Sequence, residues 1–419
     1  MGCPAAAVVL AAALAIASPR AVSAQPRSSS GSCNAAAPGA VTEVKLPGHP
    51  FGIAATSDGC RLFVSVASAD PMSNGIAVLR RDAGAILLER VVPIAAHEGR
   101  PVMRPGPNGI VLTHDGRLLI AANDEEILFL DVPSMVRGDA DPIVGRMTDG
   151  KSAGSFYVNV TRDDRLLFVS DEHAGTITVV DLEKARRSGF GSDATIGRIP
   201  VGVAAIALTF SPDEKWLYTT SEVAPAAWNW PIVCPPDRVD RARFPNPEVS
   251  EGAVIVVDVE RASTDPAGSI VAKAPAGCSA VRLAMSPDGR SAWVSARRSD
   301  AVVGFDAVKL RTSPLQARIG AVPVGTSPVG IAALPDGRHV VVANSNRIAA
   351  NPNRPQTVSV IDARKVRDGA AAVIGTIAVG AFPREFSLSP DGRTLFLGNY
   401  LSDTLSVIDL ARLSSVMVR

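Results

Sequence analysis

A turn phrase that returns seven times constrains this chain more than any other feature. Its fullest copy is Ser389-Pro390-Asp391-Gly392-Arg393, followed by Thr394-Leu395-Phe396-Leu397-Gly398-Asn399 and then Thr404-Leu405-Ser406-Val407-Ile408-Asp409. Close copies of the turn stand at 211–215, 286–290 and 335–338, and worn ones at 57–60, 114–117 and 162–165. The Asp-Gly step implies the positive φ of a two-residue hairpin turn, and the proline ahead of it stops the preceding strand. Behind each turn comes a β-branched or aromatic run such as Leu62-Phe63-Val64-Ser65-Val66 or Val340-Val341-Val342-Ala343-Asn344. That is the composition of a strand buried between two sheets. A third strand comes next and closes on an aspartate, as at Asp181, Asp258 and Asp362, whose carboxylate is expected to bond the amides of the next turn. A fourth, such as Ile374-Gly375-Thr376-Ile377-Ala378-Val379-Gly380, hands over to the next unit.

A repeat of roughly 40–50 residues built from short strands and tight turns marks a β-propeller. The chain therefore reads as all-β, a seven-bladed β-propeller of four-stranded antiparallel blades. It forms one closed domain, because no blade can bury its faces alone. Small residues in the first strands, such as Ala54, Ala55, Ala205, Ala207, Ala332 and Ala333, suit a crowded axis. The hydrophobic share is 47% but the aromatic share only 5%, which fits Ala/Val-rich sheets. The last unit has three clear strands, while residues 41–46 stand unpaired at the start. The N-terminal strand is thus expected to complete the seventh blade and remove the open edge, with the tail at 416–419 as the competing candidate.

Residues 1–24 read as a signal peptide, with a short apolar core over 5–17 and a Val22-Ser23-Ala24 cleavage step. No basic residue precedes that core. Residues 25–40 form a Ser/Ala/Gly-rich flexible leader, and 41–419 the propeller, with an insertion at about 224–251. No later stretch is apolar for long enough to form a membrane helix. The protein is expected in the periplasm or outside the cell. Cleavage leaves Cys33, Cys60, Cys234 and Cys278, an even set with three possible pairings in an oxidising compartment. Strand direction narrows these. The first-to-second and third-to-fourth strand connections share one face, called the bottom, and the remaining connections share the top. Cys33 and Cys60 both fall at the bottom, and Cys234 and Cys278 at the top. Cys33–Cys60 and Cys234–Cys278 are the expected bridges, against free buried thiols.

Function is carried more faintly. Net charge is +1, from 42 Lys and Arg against 41 Asp and Glu, so no basic footprint points to nucleic acid. The sequence has no Cys-x-x-Cys-His haem step, no zinc spacing, no phosphate loop and no nucleophile elbow, so neither cofactor nor metal is expected. Asp171-Glu172-His173 is a top-face trio that would either join a metal site with other blades or form a solvated turn. Long top-face loops are the better signal, because connections diverge where a fold is used. The insertion carries Trp228 and Trp230, anchors for a ligand or partner or else packing for the loop itself. Residues 344–356, with Arg347, and 97–107, with His97, Glu98, Arg100 and Arg104, belong to the same rim. His49, His173 and Asn399 complete the candidate binding set.

These residues carry two resemblances. The Ser-Pro-Asp-Gly-Arg turn, the strand ending in Asn344 or Asn399 and the strand ending Ser-Val-Ile-Asp resemble the YVTN-type repeats of bacterial surface-layer-like propellers. The WD40 marks are absent. The step Phe382-Pro383-Arg384-Glu385-Phe386 is similar to the Pro-Arg-His step of β-propeller lactonases, and Ser221-Glu222 to their Asn-Glu. Glu385 stands where that resemblance implies His, and Ser221 where it implies Asn. The catalytic set it implies is Glu222 as base and Arg384 orienting an anion, with Glu385 beside them; the alternative is a structural ion pair. The sequence thus supports a monomeric exported binding or scaffold protein, recognising an unidentified protein or small molecule through its top face. The alternatives are a lactone hydrolase and a docking subunit of a periplasmic redox system.

Overall fold

The computed structural model describes residues 1–2, 33, 35–95, 106–150, 152–235, 248–346 and 355–418. Seven antiparallel blades of four strands form a propeller. Blade one is built from His49–Ala55, Arg61–Ala67, Gly75–Asp82 and Ala85–Pro93. Blade seven is built from Pro383–Leu388, Thr394–Asn399, Thr404–Asp409 and the N-terminal Val41–Lys45, which pairs antiparallel with Thr404–Asp409. The ring therefore closes as expected. The C-terminal tail instead touches blade six through a single bridge between Val418 and Thr376. Residues 35–40, assigned above to the leader, already run along the last blade. Ala37 is buried, and the Asp409 amide donates to the Ala40 carbonyl at 2.9 Å.

The turn phrase differs from the expected two-residue hairpin. Ser389 and Thr394 form the last bonded pair, so four residues lie between them, and only Gly392 has a positive φ of 67°. Proline explains this, since its ring holds φ negative where a type I′ turn needs it positive. Ser389 Oγ donates to Asp391 at 2.6 Å and accepts the Thr394 amide at 2.9 Å, so serine and aspartate lock the turn. The aspartates closing the third strands do act as caps. Each tops a short helix rather than a bare turn, with Asp131, Asp181 and Asp258 accepting the amides of Ser134, Lys184 and Arg261.

Hydroxyls in the second strands stitch blade to blade. Ser65 Oγ accepts the Gly52 amide of its own blade at 2.7 Å and donates to the Asn108 carbonyl of the next at 2.5 Å. Thr220 and Ser295 repeat this to Val281 and Val329, at 2.8 and 2.6 Å. Each stitch sits where the first strand is bulged near its top-face start, as between Ala280 and Arg282. Bulges re-aim side chains, and here they turn them towards the axis.

Candidate functional site

At the top-face mouth of the axis, Phe51, Phe156, Ile206, Val281, Val329, Phe382 and Tyr400 form one apolar cluster. These come from six blades, so they can meet only across the axis, which is filled at this level. The Arg384 guanidinium lies over the rings of Phe51, Phe382 and Tyr400, at 4.8, 5.1 and 5.6 Å. The cleft beside it, between Arg384, Asn108 and Tyr400, has about 10 Å³, room for about one water molecule.

Three long side chains also converge at the axis. The Tyr157 hydroxyl donates to Glu385 Oε2 at 2.6 Å, and Arg282 Nε donates to the same oxygen at 3.1 Å. Arg282 also bonds the Tyr157 hydroxyl and stacks on its ring at 4.1 Å. Burial is the largest influence on the Tyr157 phenol and pushes it well above its ordinary pKa, so it remains a neutral donor. Sequence reasoning missed Tyr157 and Arg282. The signal was present, because all three stand at one repeat position, which holds Gly52, Gly109, Ala207 and Gly330 in the other blades.

The carboxylates implied by the lactonase resemblance do not gather. Glu222 lies between blades four and five, where its Oε2 accepts from Ser279 Oγ at 2.7 Å and pairs with Arg297 at 2.6 Å. Glu385 turns to Arg282, and Arg384 to the aromatic cluster. His49 pairs with Asp403 at 2.6 Å and stacks on Tyr400 at 4.7 Å, joining blades one and seven. Asn399 is buried, with its amide nitrogen donating to Thr404 and Ser406. His97, Glu98, Arg100, Arg104 and Arg347 lie outside the described residues.

The insertion is anchored as expected. Cys234 bonds Cys278, and Cys33 bonds Cys60. Ile232–Cys234 pairs with Val249–Ser250 in a small hairpin, and Ser250 Oγ donates to the Ala224 carbonyl at 3.1 Å. This frame holds Trp228 and Trp230 with ring centroids 5.2 Å apart, each half-buried against the core between blades three and four. Packing and presentation are thus combined in the same residues. The Lys273 ammonium sits 4.4 Å from the centre of the Trp228 ring. Trp228, Lys273, Val271, Val203 and His173 line a groove of about 770 Å³ between the two blades.

Behind the groove, the Asp171-Glu172-His173 trio divides. His173 is exposed, whereas Asp171 is fully buried and accepts from the hydroxyls of Thr176 and Thr178 at 2.6 and 2.9 Å. Asp149, also buried, accepts from Ser155 and Thr178 and pairs with Arg198 at 3.2 Å. Burial, then the Asp149 charge, pushes the Asp171 carboxyl up to about 9. No group of three or more His, Cys, Asp or Glu side chains suited to a metal occurs among the described residues.

No protein-family model matches the chain, and neither does any curated protein. Solved structures do match. A chain of Kuenenia stuttgartiensis hydrazine synthase is 17% identical, with a TM-score of 0.62 over 88% of this chain and 97% of that one. A chain of a mitotic checkpoint complex is 13% identical, with a TM-score of 0.60 over 88% and 93%. At such identities the likeness shows the fold alone: this chain shares a β-propeller with proteins of unrelated tasks.

Proposed function

We propose that this chain is an exported β-propeller binding module of the YVTN-repeat type that holds its partner in the groove between blades three and four, beside the top-face insertion. The observation that carries this reading is the groove itself, with Trp228 held at its edge by the disulfide-anchored insertion. Tryptophan is enriched among the anchors of recognition surfaces. Val203 and Val271 are exposed beside it. The axial mouth is a weaker candidate, because its side chains are occupied with one another. The same holds for hydrolysis, since Glu222 and Glu385 are each paired to an arginine and neither is free to act as a base. Two disulfides fit an oxidising compartment. Export through residues 1–24 predicts a mature N-terminus at Gln25, which N-terminal sequencing reads directly.

Photoreactive side chains introduced at Val271 on the groove and at Val308 on the bottom face test the reading in the export compartment. A partner adduct formed from position 271, lost on Trp228→Ala and missing from position 308, is the expected result. Equal adducts from both positions would count against the groove. A panel of sugar and acyl lactones provides the enzymatic control: turnover that disappears in Glu222→Gln would replace the binding reading with a hydrolytic one.

A further inference from the structure

The lining of the groove has a charge bias. Its ionisable side chains are Lys273 and His173, and it holds no Asp or Glu among the described residues. Lys273 makes no ion pair among the described residues, in contrast to Arg198, Arg282 and Arg297. Its ammonium rests on the Trp228 face, 4.4 Å from the ring centre. A charge-assisted bond to a carboxylate is stronger and can form without breaking that stacking. Beside this lysine the groove exposes aliphatic surface, with Val203 and Val271 exposed at 55% and 42%.

We propose that the groove receives an extended peptide segment with a carboxylate side chain next to an apolar one, the carboxylate pairing with Lys273 and the apolar group lying on Trp228 and Val271. This rests on the reading of the groove as the binding site. The occupant is a peptide because these exposed valines border the groove, leaving it open to solvent. Small-molecule sites, by contrast, enclose most of their ligand. A nucleic acid would need a row of cations, and the lining offers one lysine.

Panning a random phage-displayed peptide library on the purified full chain tests this, with the same panning on Trp228→Ala and on Val271→Gln to identify clones that depend on the groove. The expected groove-dependent clones carry Asp or Glu beside Leu, Ile, Phe or Trp. A synthetic consensus peptide should bind roughly tenfold more weakly to Lys273→Gln, and Lys273→Arg should restore most of the loss. Groove-dependent clones without acidic bias, or unchanged affinity for Lys273→Gln, overturn the carboxylate assignment and leave the groove as the binding site. Clones indifferent to both Trp228→Ala and Val271→Gln overturn the two together. Since Trp228 also packs on the core, Val271→Gln keeps the test valid if the tryptophan variant loosens the insertion.

Discussion

One residue position decides how the second strand of a blade ends at the top face. It is Asn344 in blade six and Asn399 in blade seven, and each amide nitrogen donates to two hydroxyls on the third strand. In blade three the same position is Asp171, whose Oδ2 meets Thr176 and Thr178 at the corresponding places. Asp149 lies beside it, and Arg198 supplies one cation for two buried carboxyls. Burial and the Asp149 charge raise the Asp171 pKa to about 9, which favours the protonated carboxyl at neutral pH. A carboxyl whose folded value lies above its unfolded 3.8 favours folding fully below that value. The benefit is lost as pH rises towards about 9. Asp171→Asn should therefore remove the pH dependence over this range and raise stability by roughly 1–3 kcal/mol at alkaline pH. Urea unfolding measured at acid, neutral and alkaline pH checks it; parallel curves for the two proteins would refute the assignment. The sequence shows Asp171 at the asparagine position, but not its proton. That depends on Asp149, in the connection from blade two to blade three.

At the scale of the element, the positions of turns and caps were legible because both use local chemistry, but the turn type was not. Six third strands end in an aspartate that accepts an amide from the adjoining turn of helix: Asp131, Asp181, Asp258, Asp306, Asp362 and Asp409. Asp306 accepts two, from Val308 and Lys309, both at 3.0 Å. Asp306→Ala should cost about 1 kcal/mol in thermal or urea unfolding, and Asp306→Asn only a few tenths, since asparagine caps nearly as well. Equal losses in the two variants would show that the charge acts there rather than the cap. The two turns without glycine, at 162–165 and 211–215, were harder to interpret. Asp164 and Glu214 take the glycine position with φ of 54°, a conformation that strains a side-chain-bearing residue. Their carboxylates accept amides from the preceding blade: Asp164 from His114 and Asp115, Glu214 from Arg162. Where the glycine is missing, the side chain in its place bonds the preceding blade. Such a bond is invisible until neighbouring turns are placed side by side.

At the scale of the whole molecule, ring closure was legible and the axial lock was not. A last blade with three strands and a spare first strand can close in few ways, whereas Tyr157 and Glu385 are 228 residues apart and meet only once seven inner strands surround an axis. The groove was partly legible: the tryptophans stand out in the sequence, but Lys273 and Val271 are unremarkable residues of an outer strand. The same distinction separates two tethers. Cys234–Cys278 anchors the insertion, so replacing both cysteines by serine should raise proteolysis within the insertion and leave the blades cooperative. Limited proteolysis with mass mapping reads this directly, and cuts distributed across the blades would contradict it. The N-terminal strand supports the ring itself. Deleting residues 1–46 removes the partner of Thr404–Asp409, the Cys33–Cys60 bridge and the bond from Arg412 to the Gly39 carbonyl at 3.0 Å. The bridge alone contributes roughly 3 kcal/mol by limiting the unfolded chain. The deletion also leaves Thr404–Asp409 as an open edge carrying Leu405, Val407 and Ile408. Open apolar edges recruit other strands. The truncated chain should therefore unfold at a markedly lower temperature and associate in a concentration-dependent way, and a peptide spanning residues 35–48 added in trans should suppress that association. Light scattering and thermal unfolding with and without the peptide decide the matter. A monodisperse truncated chain with unchanged Tm would mean that the ring is held by contacts between blades, with no need for its latch.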